Sequence, residues 1–426
     1  MTNPTSEEGR SSPRGFAGMG GKVLLTGASG FLGIHLLHDL LVHRGATVTC
    51  LLRGESEARV RQSLEEKWRW FFPETALDPH AQRLEVIVAD VTARRCGLGE
   101  RAYDALAETH GAIFNVAGNV NGSELDELLP INVGLVESLI ELSRYGVPKH
   151  LHHVSTVDVG GYFTAKPHIE AFTEQHLEEG QTLGDAYAQS KHRAELILRE
   201  AMAQGIAATA YRVGFIGPHG RTGRFQQNPE QNFTSRYVRA CLRLGFAPYL
   251  PSTKISLTPV DDVARAILAL AASGESAGQT YYVETPHSLA HYEIMRVLQA
   301  AGYPLRLMEL EDLIGCAEQL SGDKESLGLV VPQGAGPEPY PVPIDASASL
   351  AALGRQGFEY ERPSGEWLGR FVEHAIEIGF LPPPRFWRAA PLPRGLFTKP
   401  SESTGREDLP HGSEHNPPEK TVRHAE

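Results

Sequence analysis

The chain has 426 residues, 41% of them hydrophobic, and a formal net charge of −12. That length buries one large core or two domains sharing an interface, and the excess of acid argues against a general nucleic-acid binder. No apolar run reaches the roughly 18–20 residues of a membrane-spanning helix, so no membrane span is expected.

Residues 1–20 are polar, rich in Gly and Ser, and lack the apolar stretch of a signal peptide, so they read as a flexible lead-in. K-V-L-L-T-G at 22–27 reads as a buried strand, Phe31–His43 as a helix and 46–52 as a second strand. Apolar runs follow at 84–89, 111–116, 150–154 and 206–211, with helical stretches near 125–144 and 184–204. Strands alternating with helices predict an α/β fold, a Rossmann-type doubly wound parallel sheet covered on both faces. After Gly214 the rhythm breaks, and 214–235 reads as a long functional loop. Helices are expected at 234–244 and Val260–Ala272, and a returning strand at 279–285. Residues 286–385 read as mainly helical, with a Gly/Pro-rich interruption at 332–344, and the polar, Pro-rich tail from 388 reads as disordered.

V-L-L-T-G-A-S-G-F-L-G places Gly27, Gly30 and Gly33 in G-x-x-G-x-x-G spacing between a strand and a helix. Without Cβ atoms the backbone turns tightly there and approaches a pyrophosphate, which the helix N-terminus favours with free N–H groups and a positive dipole end. The cofactor-binding stretch is therefore Gly27, Ser29, Gly30, Phe31, Leu32 and Gly33. Arg53 follows the second strand directly, where an acidic residue would take the ribose of NAD and an arginine suits the 2′-phosphate of NADP. Arg61, in the next helix, assists. NADPH is expected, while Glu55 and Glu57 keep NADH open. Asp90 and Val91, ending the third strand, would lie beside the adenine.

V-S-T-V-D at 154–158 ends the strand before G-D-A-Y-A-Q-S-K, residues 184–191. Open α/β sheets place their chemistry at the carboxyl ends of their strands. Thr156 projects a hydroxyl there, and Tyr187 and Lys191 share one helical face. Lys191 is expected to hold Tyr187 by charge and lower its pKa, so that the phenol donates a proton to an oxyanion. His150, His152 and His153 alternate between faces and make no metal site, and His35 and His38 read as packing or surface residues. Asn132 is expected to bond backbone. The cysteines Cys50, Cys96, Cys241 and Cys316 are scattered with no C-x-x-C pair, which fits a reducing, cytoplasmic setting.

The order T-G-A-S-G-F-L-G, S-T, Y-x-x-x-K resembles the extended short-chain dehydrogenase/reductases. Y-R-V-G-F-I-G-P-H-G-R-T-G at 211–223 is similar to the arginine-glycine loop of thioester reductase domains, which end peptide and polyketide assembly lines. I-S-L-T-P-V-D-D-V-A-R-A-I at 255–267 and A-I-E-I-G-F-L-P-P-P at 375–384 resemble the same family, and the likeness spans roughly 20–385. The chain departs from it at N-V-A-G, 115–118, where the family shows H-N-A-A. The resemblance implies catalytic Thr156, Tyr187 and Lys191, the last two also touching the cofactor with Ala117 and Val213. It implies a thioester on the phosphopantetheine arm of an acyl or peptidyl carrier protein, reduced by NADPH to an aldehyde, with a second reduction to an alcohol left open. With no adenylation or carrier region ahead of it, the chain reads as a stand-alone member.

Arg236, Arg239 and Arg243 lie along one helical face and, with Arg221 and Arg224, are expected to dock the carrier or its arm. A fatty acyl-CoA reductase, a nucleotide-sugar epimerase or dehydratase, and a non-enzymatic NADP sensor are the rival readings. The expected organisation is a flexible segment 1–20, an NAD(P)-binding domain 21–285 whose 214–250 part contributes to the substrate site, a smaller helical substrate-binding region 286–387 and a disordered tail 388–426.

Overall fold

The structure, a computed structural model, describes residues 22–384 apart from 121, 123, 318–323 and 331–341. The expectations for 1–20, for most of the 332–344 interruption and for the tail from 388 lie outside the described residues.

The first half of the chain runs β1 (Lys22–Thr26), α1 (Phe31–His38), β2 (Val48–Leu52), α2 (Glu57–Phe71), β3 (Leu84–Val88), α3 (Glu100–Thr109) and β4 (His110–Asn115). It continues through α4 (Leu125–Leu129), α5 (Leu135–Ser143), β5 (His150–Thr156), α6 (Ala186–Ala203) and β6 (Ala208–Val213). Then come β7 (Phe215–Gly217), α7 (Phe233–Leu244), β8 (Phe246–Pro248), β9 (Lys254–Ile255), β10 (Leu257–Pro259), α8 (Val260–Ala271) and β11 (Gln279–Val283). The last part holds β12 (Leu289–Ala290), α9 (His291–Ala300), β13 (Arg306–Met308), α10 (Leu310–Ala317), α11 (Lys324–Val330), α12 (Ser347–Arg355) and α13 (Gly365–Glu377).

Seven strands form one sheet in the order β11-β6-β5-β4-β1-β2-β3, every neighbouring pair parallel. Alternate residues of a strand face opposite sides. Val23 and Leu25 of β1 therefore join Val48 and Cys50 of β2 beneath Leu36 and Leu37 of α1 and Ile267 of α8. Leu24, between them, joins Ile113 and Leu151 against Leu106 of α3, Leu139 of α5 and Leu198 of α6. Burial on both faces is why these strands read as continuous apolar runs rather than alternating ones.

β6 was expected at 206–211 and lies at Ala208–Val213. The apolar run stops before Arg212, yet Arg212 is fully buried in the strand because Glu195 neutralises it. A third core gathers Val238, Cys241 and Leu242 of α7, Phe246 of β8, Met295 and Leu298 of α9, and Val372 and Ala375 of α13. α12 instead returns to the sheet, where it packs on β11 and α8, and Ser349 Oγ accepts from Tyr282 N–H at 2.8 Å. The cores thus interleave across residue 285: α7 packs with later helices, and α12 packs with the earlier sheet.

Candidate active site

Gly27 turns the chain at φ +74°, and a Cβ there would stand 2.5 Å from the Ala117 nitrogen. Gly30 N–H donates to Gly27 O at 2.8 Å, closing the turn. A Cβ at Gly33 would stand 1.9 Å from Gly27 O. α1 begins without a side-chain cap and without an acidic residue in its first turn. Its leading N–H groups are left to an anion, which fits the pyrophosphate of a dinucleotide. Leu32 is buried, and the Phe31 ring packs away from the loop against His35, Phe71 and Phe225. His35 is buried, and His38 stacks on Phe72 at 3.9 Å, so both histidines serve packing.

One cation at this loop escaped sequence reasoning. Lys67, on α2, donates through Nζ to Ser29 O at 2.7 Å. It lies thirty-eight residues from its partner, and no local spacing marks it. Burial lowers its pKa, as a cation held against the loop requires.

Arg53 is exposed just beyond β2. It adds its field to two hydrogen bonds from Thr92 that hold the Asp90 carboxyl below its usual range. Val91 is buried beside Asp90. Arg61 lies 3.9 Å from Glu57, one turn back on α2, and its charge reaches the Cys50 thiol of β2. Arg53, Arg61 and Asp90 thus gather around the carboxyl ends of β2 and β3.

The second gathering stands at the end of β5. Asp185 caps α6, its Oδ1 accepting from Ala188 N–H at 2.7 Å, which brings Tyr187 into the first turn. Thr156 Oγ1 donates to Asp158 Oδ2 at 2.8 Å and accepts from Asp158 N–H at 3.2 Å. The same Thr156 hydroxyl lies close enough to the Tyr187 phenol to act on its pKa. The expected lowering of the Tyr187 pKa is overturned. Burial and then the Asp158 charge push it above the ordinary phenol range, Thr156 pulls it partly back, and Asp185 raises it again. Lys191 is not among the charges that act on the phenol, and its Nζ donates to Val154 O at 2.9 Å. Burial lowers the Lys191 pKa to about 8, offset in part by Glu195 one turn further on.

The departure at N-V-A-G ends beside Lys191. A Cβ on Gly118 would stand 3.4 Å from Lys191 Nζ and 3.3 Å from Asn132 Oδ1. Gly118 is therefore the residue that leaves the lysine room. Ala117 N–H reaches Thr26 Oγ1 at 3.4 Å, which seats this loop over β1. Val213 is buried at the end of β6. Asn132 does bond backbone: it accepts from Asn119 N–H at 2.8 Å and donates to Asn119 O, and it also donates to Ser190 Oγ at 2.8 Å.

A buried network beneath α6 was likewise invisible in the sequence. Ser155 Oγ donates to Glu195, and the Arg212 guanidinium meets Glu195 at 2.9 Å with both side chains almost wholly buried. Arg212 also donates to Tyr282 Oη at 3.1 Å and to His176 O at 2.7 Å. β5, α6, β6 and β11 are clamped together one turn from Lys191. His152 pairs with Tyr211 Oη on one face of β5 and His153 with Asn115 on the other.

The arginine-glycine loop is strapped rather than free. Gly220 N–H donates to Asp261 at 2.7 Å, Arg370 donates to Gly220 O at 2.9 Å, and Arg224 donates to Trp70 O. Arg221 pairs with Glu74 at 3.1 Å. On α7, Arg236 pairs with Glu325 at 3.4 Å, and Arg239 pairs with Glu230 and lies over the Phe380 ring at 5.3 Å. Arg243 follows on the same helix.

The sheet order and the glycine loop define an NAD(P)-binding oxidoreductase of the extended short-chain dehydrogenase/reductase type. A family model described as Male sterility protein matches residues 25–267, over half of the chain, and the chain belongs to that family. It is 30% identical over 405 residues to an isonitrile lipopeptide synthase of Streptomyces coeruleorubidus, a match covering 90% of this chain and 26% of that protein. The chain therefore spans about a quarter of that relative's length. The terminal R domain from the myxalamid PKS-NRPS biosynthetic pathway superposes with a TM-score of 0.75 at 29% identity, over 85% of this chain and 92% of that one. A reductase domain of a non-ribosomal peptide synthetase from Mycobacterium tuberculosis gives 0.71 at 28% identity, over 87% and 94%. The resemblance to terminal reductase domains read from the sequence is borne out. Among the described residues no helix is long and apolar enough to cross a membrane.

Proposed function

We propose that the protein releases an acyl or peptidyl thioester, held on a carrier protein's phosphopantetheine arm, as an aldehyde, with NADPH as reductant. The observation that carries this reading is the gathering of Thr156 and Tyr187 at the carboxyl end of β5, with Lys191 buried one turn further along α6 and donating to Val154 O. The similarity to solved terminal reductase domains supports it. Arg53 and Arg61 at the end of β2 support the choice of NADPH, since an arginine there suits a 2′-phosphate.

Reduced nicotinamide, when bound, supplies the hydride that turns the thioester carbonyl into a tetrahedral oxyanion. Thr156 and Tyr187 hold that oxygen in a site where burial strengthens each hydrogen bond. Tyr187 gives it the phenolic proton, leaving a thiohemiacetal. That adduct collapses: the C–S bond breaks, the hydroxyl proton passes to the departing thiolate, and the aldehyde is freed. The same two hydroxyls would accept the aldehyde carbonyl for a second reduction to the alcohol. Arg236, Arg239 and Arg243, three and four residues apart on α7, keep one helical face basic. An acidic carrier surface would compete with Glu230 and Glu325 for them.

The test is to incubate the protein with NADPH or NADH and one acyl group carried on carrier protein, on CoA and on pantetheine. Oxidation of NADPH with aldehyde formation, fastest on carrier protein, is expected. Preference for CoA would transfer the assignment to an acyl-CoA reductase. Tyr187→Phe should lower kcat by about 10²- to 10⁴-fold, the usual worth of a positioned proton donor. An unchanged kcat in that variant would remove Tyr187 from the chemistry.

A further inference from the structure

We propose that the Lys67 ammonium binds the pyrophosphate of the dinucleotide, adding a side-chain cation to a cradle otherwise made of backbone N–H groups. The inference deepens the reading of the glycine turn as a cofactor site and rests on it. Lys67 Nζ donates to Ser29 O at 2.7 Å, inside the turn that the bond from Gly30 N–H to Gly27 O closes. Gly30 N–H is spent in that bond, and Ile34 N–H is the first that α1 takes up, on Gly30 O at 3.0 Å. Phe31, Leu32 and Gly33 are left with N–H groups that have no acceptor within the helix. Only Gly30 separates Ser29 O from the first of these along the backbone, so the ammonium stands beside them. Gly30 is exposed, and Ser29 and Lys67 are half-buried, so a ligand can approach this corner from solvent.

A lysine that serves structure alone spends its hydrogens on the protein. Lys149 is buried, and its ammonium donates to Ala107 O, Tyr145 O and Val147 O, which uses all three hydrogens. Lys67 has the same three and spends one, and among the described residues no carboxylate pairs with it. The arginines around the end of α2 are engaged, Arg221 by Glu74 and Arg224 by Trp70 O. Packing holds Lys67 in place. One turn further on, the Phe71 ring lies 5.7 Å from that of Phe31, which meets Phe225 edge-on at 5.2 Å. α2 is thereby locked against the first residue of α1. A carbonyl beside an anion is repulsive, and a cation seated on Ser29 O offsets that repulsion.

Arg53 and Arg61 stand at the carboxyl end of β2, which leaves a 2′-phosphate to them. Ser29 belongs to the turn before α1, where the dipole and the free N–H groups favour the pyrophosphate. NADPH and NADH share that group, so Lys67 sets the affinity for both and does not choose between them. Burial lowers its pKa, and a phosphate bound against it would favour the charged form again.

Lys67→Met keeps the stem and removes the charge. Its Kd for NADPH and for NADH, read by nicotinamide fluorescence, should rise about tenfold or more for both. Lys67→Arg should recover most of the loss, and both variants without ligand should melt close to wild type. Binding by wild type should weaken with salt more steeply than binding by Lys67→Met, because one charge pair is gone from the variant. Unchanged affinity in Lys67→Met would overturn the role. A loss confined to NADPH would also overturn it and move Lys67 to the 2′-phosphate. A loss that Lys67→Arg does not repair would reduce Lys67 to a strap between α2 and the turn. A second measurement uses wild type alone. Saturating ADP-ribose, which carries the pyrophosphate but neither nicotinamide nor 2′-phosphate, should protect Lys67 from amine acetylation, read by peptide mass. Equal labelling with and without it would overturn the contact. Wild type that binds neither NADPH nor NADH would instead sink the cofactor reading of the turn, and Lys67 with it.

Discussion

At the carboxyl end of β1 the chain turns on glycines, and at the carboxyl end of β5 it turns on a threonine and an aspartate above a buried lysine. Both lie at the carboxyl ends of interior strands of one sheet. The first works by absence: Gly27 and Gly33 leave no Cβ where the backbone must pass, and α1 starts without a cap. The second works by partners. Thr156, Asp158, Tyr187 and Lys191 take their hydrogen bonds and charges from one another, from Val154 and from Glu195. Local geometry makes a place for a cofactor, whereas tuned chemistry needs neighbours distant in sequence.

The comparison breaks most sharply at the clamp beneath α6. Arg212→Met leaves the Glu195 carboxylate buried without its cation and should destabilise the protein by about 3–5 kcal/mol, read as a lower midpoint in urea. Replacing Arg212 and Glu195 together by apolar residues of like size should recover most of that stability. Gly33→Ala probes the other passage. Its Cβ meets the Gly27 carbonyl, and overpacking of this kind costs about 1–3 kcal/mol. Dinucleotide affinity should fall with it, measured by nicotinamide fluorescence, while Arg212→Met that remains folded should keep that affinity.

An effect read across pH sharpens the electrostatic half. The folded pKa of Lys191 is lowered from 10.5 to about 8, so the native state sheds this proton before the unfolded chain does. With fewer protons bound in the native state, the contribution of Lys191 to stability rises with pH between about 8 and 10.5, by at most about 1.4 kcal/mol per pH unit. The unfavourable burial of the cation is fully felt below that window. Wild type should therefore gain on Lys191→Met across it in chemical denaturation. Over the same range kcat/KM should fall as the ammonium is lost.

Much of the architecture was legible because it depends on short spacings. The strand–helix alternation gave the parallel sheet, G-x-x-G-x-x-G lay where a strand meets a helix, and Tyr187 and Lys191 shared a face because they stand four apart on α6. The errors have one source. β6 was placed two residues early because Arg212 reads as a surface charge until Glu195 is packed against it. Tyr187 was expected to have a lowered pKa because the sequence puts Lys191 beside it, whereas folding turns the ammonium to Val154 O and brings Asp158 and Asp185 near the phenol. Lys67 and Ser155 carried no signal at all, since their partners are Ser29, thirty-eight residues away, and Glu195, forty residues away.

By itself the sequence determined the fold class, the glycine turn and the order of the candidate site residues, all consequences of backbone sterics and of periods of two and 3.6 residues. The tertiary structure alone decided which charges are buried, which partners they meet and in which direction each proton donor is tuned. Desolvation and Coulomb energy depend on distance through space, and that distance exists only once the chain has packed.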